Sequence, residues 1–400
     1  MITYEEAFAR ITESIRPLPA RPTALADCLG LVAAEDVTAS TAVPPFRNSA
    51  MDGYALHFDD LVDGATLRIV DTVRAGQAGS VAVRAGEAAQ IATGAMLPEG
   101  ADTVVPMEDC AVDGPVLSIT GDVRRGQCIR PAGQDVAERS TVLRAGQVMT
   151  PAAIAMCAAV GRASVDVHRR PRIGIIATGD ELVEPGCPLG PGKIYNSNAY
   201  GLAAQAVESG AVVDKTMRAA DDRDALRAAF DACVDCDIVI TSGGVSVGQF
   251  DYVKDIFAER GAIDFWRVAI RPGKPLVHGR WGDRLFFGLP GNPTSSMVTF
   301  ELFVRPVIRK MLGYKSLNRP IVEARLEERL RHEPGRRSFM RAVLRRSGGE
   351  LTVCESGGQD SGMLHALVAA NALIVIPEDV ESVDAGASVR VLVLAGDQSI

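Results

Sequence analysis

The sequence predicts a multidomain protein of the α/β-plus-β class, in which one α/β domain is flanked by two β domains. Its 400 residues exceed what one ordinary core accommodates, so several domains are expected. Short β-rich runs separated by glycine-bearing turns occupy residues 60–150 and return over 317–400. Between them, from about residue 171, apolar strands alternate with segments of helical period, which implies βαβ units and a parallel sheet.

Taken in order, residues 2–15 have the period of an amphipathic helix, and 17–50 read as an extended stretch that includes Pro44-Pro45-Phe46. Thr66–Val73, Glu87–Ile91, Thr103–Pro106 and Val116–Thr120 read as strands. Residues 151–161 read as a short Ala-rich helix, with Pro151 in its first turn and Gly161 just past its end. Ile173–Ala177, Ala211–Met217 and Asp237–Thr241 read as strands, with helices at Asn198–Ser209 and Asp222–Cys233 between them. The apolar strand Leu285–Gly288 leads into a helix that runs to about Met311. Ile321–Leu326, Phe339–Leu344, Leu373–Pro377 and Ser388–Leu394 are the β runs of the last domain.

Composition excludes several classes. Hydrophobic residues make up 47% and charged residues 23%, which suits a folded globular chain. No apolar run approaches the ~20 residues that span a bilayer, and the N-terminus has no signal-peptide pattern. A net charge of −8 argues against a nucleic-acid binder. Eight scattered cysteines do not form a small disulfide framework and fit a reducing, cytoplasmic setting. Cys233 and Cys236 form a lone C-x-x-C with no second pair or nearby histidines, so two small residues at a helix end is the better reading. The five histidines have no metal-ligand spacing and read as structural or surface residues.

Four segments fall just beyond strand ends, where α/β folds bind ligands. The first, Thr178 to Leu182 (TGDEL), sets Asp180 and Glu181 at the crevice, although a capped turn reads equally well. The second is Ser242 to Tyr252 (SGGVSVGQFDY). There Gly243 and Gly244 let the backbone approach an anion, and Asp251 follows at the expected start of a helix. The third, Arg271 to Pro275 (RPGKP), holds Arg271 and Lys274 on a rigid loop suited to an oxyanion, or is a plain surface loop. The fourth, Leu289 to Ser296 (LPGNPTSS), opens a helix that Asn292 or Thr294 could cap. Outside this domain, Asn48 to Leu56 (NSAMDGYAL) carries Asp52, and residues 126–135 (GQCIRPAGQD) carry Arg130 and Asp135. Carboxylates beside phosphate-type loops suggest an oxygen-liganded cation, Mg²⁺ more than zinc. Nucleophile-elbow, Walker and dinucleotide fingerprints are absent.

Together with Lys193 to Asn198 (KIYNSN), these strings occur in the order found in the molybdopterin molybdotransferases of the MoeA type, and the chain resembles that family over nearly its whole length. It is also similar to the E domain of gephyrin and of the plant molybdenum insertase. The resemblance implies a central, doubly wound, MogA-like α/β domain over 169–316 that binds molybdopterin. It implies a linker and dimerisation domain over 1–40 and 137–168, a β domain over 41–136 and a barrel-like β domain over 317–400. It implies a homodimer that inserts molybdate into adenylylated molybdopterin, cleaving the phosphoanhydride with Mg²⁺ and releasing AMP. Transient contacts with the molybdopterin adenylyltransferase and with apo-molybdoenzymes would follow.

Carried over by position, Asp52 and Asp135 look like cleft acids from the partner subunit, and Glu181, Asp221 and Asp251 like metal- and pyrophosphate-side acids. The register of Asp221 against Asp222 stays open. Thr178, Asp180, Ser242, Gly243, Gly244 and Ser246 look like substrate contacts. Pro290, Asn292 and Pro293 shape the LPGNP loop, and Lys274, Ser295 and Arg341 look like the pterin-phosphate or molybdate pocket. One stretch departs from the pattern: His365 and Ala366 stand where serines are usual. Rival readings are a single-domain molybdopterin adenylyltransferase, a CinA-like nucleotide hydrolase and a scaffolding module. The extra β domains, the SGGVSVG string and the lack of a receptor groove signature respectively weigh against them.

Overall fold

The structure, a computed structural model, describes residues 1–62, 64–77, 82–244, 256 and 261–394. The chain divides into two compact units, one of residues 1–21, 30–32 and 168–400 and one of residues 22–29 and 33–167. Among the described residues, no helix is long and apolar enough to cross a membrane.

The first unit is built on a six-stranded sheet. Its elements in chain order are β1 (Arg172–Thr178), α1 (Ser197–Glu208), β2 (Val212–Ala219), α2 (Arg223–Ala232), β3 (Ile238–Ser242), β4 (Gly261–Arg267), β5 (Pro275–Trp281) and β6 (Arg284–Leu289). The strand order is β2-β1-β3-β6-β5-β4. The first four strands are parallel, while β5 runs antiparallel to both β6 and β4. The sheet is therefore mixed, and the expected parallel part is extended by an antiparallel edge. The chain leaves β1 toward β2 on one side and returns to β3 on the other. This makes the carboxyl ends of β1 and β3 the topological switch point.

Alternation along the strands sends Ile176, Val239 and Phe286 to one face, where they pack with Leu226, Ala229 and Phe230 of α2. Each large apolar side chain buried there contributes roughly 1.5–3 kcal/mol. Cys233 and Cys236 are buried in the same cluster. A Cβ on Gly174 would lie 2.5 Å from Cys233 Sγ, so the pair fills the space over a glycine in β1. After β6 the chain is helical from α3 (Pro293–Thr299) through a wider π turn (Phe300–Val304) into α4 (Arg305–Met311). Pro306 lacks the N–H that would close a regular turn, which accounts for the widening before it.

The last domain closes on itself. Strands Arg337–Ser347, Glu350–Glu355, Ile321–Leu326, Ser388–Val393 and Ala372–Ile376 pair in that ring order, and the last pairs again with the first. The result is a five-stranded barrel filled by Leu326, Leu344, Val353, Ile374 and Val391. Ile270–Arg271, just before β5, adds to it in parallel against Arg337 and Ser338. The N-terminal helix Tyr4–Glu13, capped by Thr3, belongs to this unit, with Tyr4 set against Phe303 and Phe339.

The second unit contains a six-stranded sheet in the order Thr103–Pro106, Gly53–Leu56, Glu87–Ile91, Thr66–Val73, Val116–Ile119, Cys110–Asp113. Its two faces build separate cores, Ala55, Ala89 and Val104 on one side and Tyr54, Leu56, Ala88 and Val105 on the other. Gly53 is required by close approach, since a Cβ there would lie 2.0 Å from the Val105 carbonyl oxygen. The helix Pro151–Ala159 begins with proline in its first turn, and Gly161 follows at φ +83°.

Candidate active site

Register brings four loops together at the carboxyl edge of the sheet. Ala177 stands beside Ser242, Ser242 beside Leu289, and Thr178 beside Ala219. The segments that follow Thr178, Ala219, Ser242 and Leu289 therefore emerge side by side. They enclose a cleft of about 420 Å³. Thr178, Glu181, Asp221, Ser242, Gly243, Gly244, Pro290, Asn292 and Pro293 line it.

The glycine pair is demanded by backbone and space alike. Gly243 and Gly244 have φ of +90° and +70°. A Cβ on Gly243 would meet the Thr178 carbonyl oxygen at 2.8 Å, and one on Gly244 would meet Thr178 Oγ1 at 2.9 Å. Without side chains at these two positions, the backbone of the turn can be approached closely by a ligand. The Gly243 N–H donates to the Leu289 carbonyl at 3.2 Å, tying the second loop to the fourth.

Asp221 and Asp222 take separate positions. The Asp222 carboxylate caps α2 by accepting from the Ala225 N–H at 2.8 Å. Asp221 lines the cleft, and its backbone N–H donates to Asp180 Oδ1 at 3.5 Å. Asp180 itself is not among the lining residues; its carbonyl accepts from Lys193 Nζ at 2.7 Å. The Glu181 carboxylate folds back over Gly179, since a Cβ built there would lie 2.5 Å from Glu181 Oε2.

Asn292 holds the N-cap position of α3 but makes no side-chain cap bond. Its Nδ2 donates instead to Ser361 Oγ of the barrel domain at 2.7 Å, so the expected cap is replaced by a cross-link between domains. The Thr294 N–H reaches the Ser361 carbonyl at 3.3 Å. Lys274 is exposed, and its neighbour Pro275 lines the cleft. Ser295 is buried, with its carbonyl accepting from Thr299 Oγ1 at 2.5 Å. Arg341 is fully buried in the barrel domain. Its Nη2 donates to the carbonyls of Gly358 and Asp360, and desolvation lowers its pKa. Ala366 is buried in the short helix Leu364–Ala369 and offers no hydroxyl.

Asp52 and Asp135 belong to the second unit and are exposed. Asp52 Oδ1 accepts from the Thr93 N–H at 2.7 Å and from Thr93 Oγ1 at 3.1 Å. The Asp135 N–H donates to the Val43 carbonyl at 3.0 Å. Ser246 and Asp251 lie outside the described residues.

Sequence reasoning did not assign site roles to Ile194, Tyr195, Asn196, Ser197 and Asn198, which form one wall of the cleft. The signal was present as the KIYNSN string. Its Asn196 caps α1 by accepting from the Ala199 N–H at 3.3 Å, which fixes the wall at a helix start.

The donor chemistry is that of hard oxygen ligands. Among the described residues no group of three His, Cys, Asp or Glu side chains converges as a metal site. Two carboxylates, those of Glu181 and Asp221, line one cleft. Mg²⁺ typically takes one or two carboxylates and completes its shell from water and substrate phosphates, so this donor set fits it.

A switch-point cleft with a paired-glycine turn and two carboxylates, on an α/β domain fused to a closed β barrel, defines a class of multidomain enzymes that act on small molecules. Three family models match the chain in order. The MoeA N-terminal region (domain I and II) covers residues 2–161, the probable molybdopterin binding domain 174–310, and the MoeA C-terminal region (domain IV) 323–394. Molybdopterin molybdenumtransferase 2 of Mycobacterium tuberculosis is 40% identical over 97% of this chain and 98% of its own. The Haemophilus influenzae molybdopterin molybdenumtransferase is 34% identical over 98% of each. A solved structure of the MoeA molybdopterin biosynthesis protein from Pyrococcus horikoshii has a TM-score of 0.83 at 31% identity, covering 99% of this chain and 100% of that one. The chain belongs to the molybdopterin molybdenumtransferase (MoeA) family, a family of transferases.

Proposed function

We propose that this enzyme transfers molybdenum from molybdate to adenylylated molybdopterin, with Mg²⁺-dependent cleavage of the phosphoanhydride and release of AMP. The observation that carries this reading is the convergence of Glu181, Asp221, Ser242, Gly243, Gly244 and the Pro290–Pro293 loop on one cleft at the switch point. An acidic protein can hold anionic substrates there because backbone N–H groups and a cation supply the positive potential.

Glu181 and Asp221 would hold Mg²⁺, whose charge when bound neutralises the pyrophosphate. The Ser242 hydroxyl would grip the phosphates and the Gly243–Gly244 turn, bare of side chains, would let them approach, with Thr178 buried beside the glycines. Pro290, Asn292 and Pro293 would keep the opposite wall rigid. Holding the dithiolene against the incoming oxyanion would supply rate through proximity. By resemblance, Asp180, Ser246 and Asp251 extend the substrate and metal side, and Lys274, Ser295 and Arg341 the pterin-phosphate or molybdate side. Asp52 and Asp135 would complete the cleft of the partner subunit in a homodimer. The setting would be the cytoplasm, with handover from the molybdopterin adenylyltransferase and onward to apo-molybdoenzymes.

The test is AMP release from adenylylated molybdopterin, with molybdate and Mg²⁺ each present or omitted. Release that requires both establishes the reaction, and a folded protein that releases none under any condition overturns it. Glu181→Ala should lower turnover by on the order of 10²-fold or more while leaving the melting temperature unchanged.

A further inference from the structure

Asn198 is the second residue of α1 and stands on the cleft wall. Its Nδ2 donates to the Gly291 carbonyl at 2.7 Å and to Ser242 Oγ at 2.8 Å. The orientation of this amide is fixed by chemistry. Gly291 presents a carbonyl oxygen, which only accepts, so the nitrogen must face it. Ser242 Oγ then accepts from the same NH₂ group, and its own proton has to point elsewhere. Among the described residues, the remaining hydrogen-bonding neighbour of Ser242 Oγ is Ser296 Oγ at 3.5 Å, beyond the usual reach of a hydroxyl bond. Ser242 lines the cleft, and that is where an acceptor for its proton can sit. Asn198 Oδ1 is buried with no hydrogen-bond partner among the described residues. An orphaned buried acceptor lowers stability, so the residue is not explained by stability alone.

We propose that Asn198 is a positioning residue: it joins the Ser242-Gly243-Gly244 loop to the Pro290–Pro293 loop and turns the Ser242 hydroxyl into a committed donor toward a phosphate oxygen of the substrate. This role rests on the reading of the cleft given above. The amide directs both its hydrogens to the two loops. Its effect on the reaction passes entirely through Ser242 and Gly291.

The experiment is a double-mutant cycle on the full chain, read as AMP release from adenylylated molybdopterin with molybdate and Mg²⁺. Folding of each variant is checked by circular dichroism and thermal melting. Ser242→Ala should lower kcat by on the order of 10²-fold, as loss of one phosphate-side donor does. Asn198→Ala should lower kcat by about 10-fold or more with KM within about threefold. The double variant should fall well short of the product of the two single losses, because the Ser242 share of the Asn198 effect is already gone and only the Gly291 tie is left to lose. Asn198→Asp fills the same space but offers an acceptor where Gly291 needs a donor. It should be as deficient as Asn198→Ala, and it carries the test if the alanine variant does not fold. Independent, multiplying losses in the cycle, or an Asn198→Asp enzyme at the wild-type rate, would overturn the role while leaving the function intact. A folded wild-type chain that releases no AMP would overturn the reading of the cleft and this role together.

Discussion

Adjacent carboxylates can do unrelated work, and Asp221 and Asp222 show it. Asp222 is committed to the Ala225 N–H at the start of α2, whereas Asp221 lines the cleft. Asp222→Ala should therefore lower stability by about 1 kcal/mol, the usual worth of a helix cap, with little change in turnover. Asp221→Ala should show the reverse pattern. Denaturant melts and AMP release on the same two variants would separate them, and matching effects from both would defeat the assignment. The sequence could not choose between them because an acid in a helix's first turn and an acid at a strand's end occupy the same two letters. His278 marks another residue-scale effect. It is buried, its ring lies against Phe265 and Phe287, and its Nδ1 donates to the Phe286 carbonyl at 3.1 Å. Burial pushes its pKa down from 6.5 to about 4, outweighing the nearby Asp264 carboxylate, which acts the other way, while Arg280 adds to the lowering. Stability from this group is full above pH 6.5 and is lost as pH falls toward 4, because the unfolded chain takes up a proton that the folded one refuses. The slope should approach about 1.4 kcal/mol per pH unit. Thermal unfolding of the wild type and of His278→Gln between about pH 7.5 and 4.5 tests this, since only the wild type should carry that slope.

At the scale of elements, the strands and helices around the cleft were legible because period and punctuation agreed. The apolar run into Thr178-Gly179, the helix ending at Gly210 and the strand ending at Ser242 each combine a buried pattern with a turn residue. The antiparallel β4–β5 edge was not legible, since periodicity reports burial and says nothing of strand direction. Gly53–Leu56 was missed as a strand because all four residues are buried, so no alternation marks it. Its glycine makes an element-scale prediction. Gly53→Ala places a methyl group 2.0 Å from a backbone oxygen of the neighbouring strand, and neither side can yield cheaply. It should cost about 1–3 kcal/mol, read as a lower melting temperature, with Gly190→Ala as the contrast, a glycine outside the left-handed region whose added Cβ would lie 3.8 Å from Lys193 Cγ, an ordinary contact.

For the whole molecule, the order of seven short strings carried more than any one of them, because each alone is also an ordinary turn. Order along the chain identified the family, while the proposed place of Asp52 and Asp135 in a partner's cleft would need a second copy that one sequence does not contain. If they complete the partner's cleft, Asp52→Ala and Glu181→Ala subunits are each inactive alone. Mixed and refolded together, they should regain about a quarter of wild-type sites, the share in which one intact acid of each kind meets the other. No recovery, with mixed dimers verified by tandem purification through a different affinity tag on each variant, would place both acids in the same subunit's cleft.

The short pairing of Ile270–Arg271 with the barrel strand Arg337–Ser338 bears on how separable the parts are. One stretch of backbone pairs with a strand of the closed five-stranded barrel and, a few residues later, serves as the approach to Lys274 and Pro275. A chain cut after residue 316 would strip that stretch of its partner and remove Ser361 from Asn292. Two of the site's loops in this enzyme are therefore held in part by the barrel. Any ancestor that worked without the barrel must have steadied those two loops in another way.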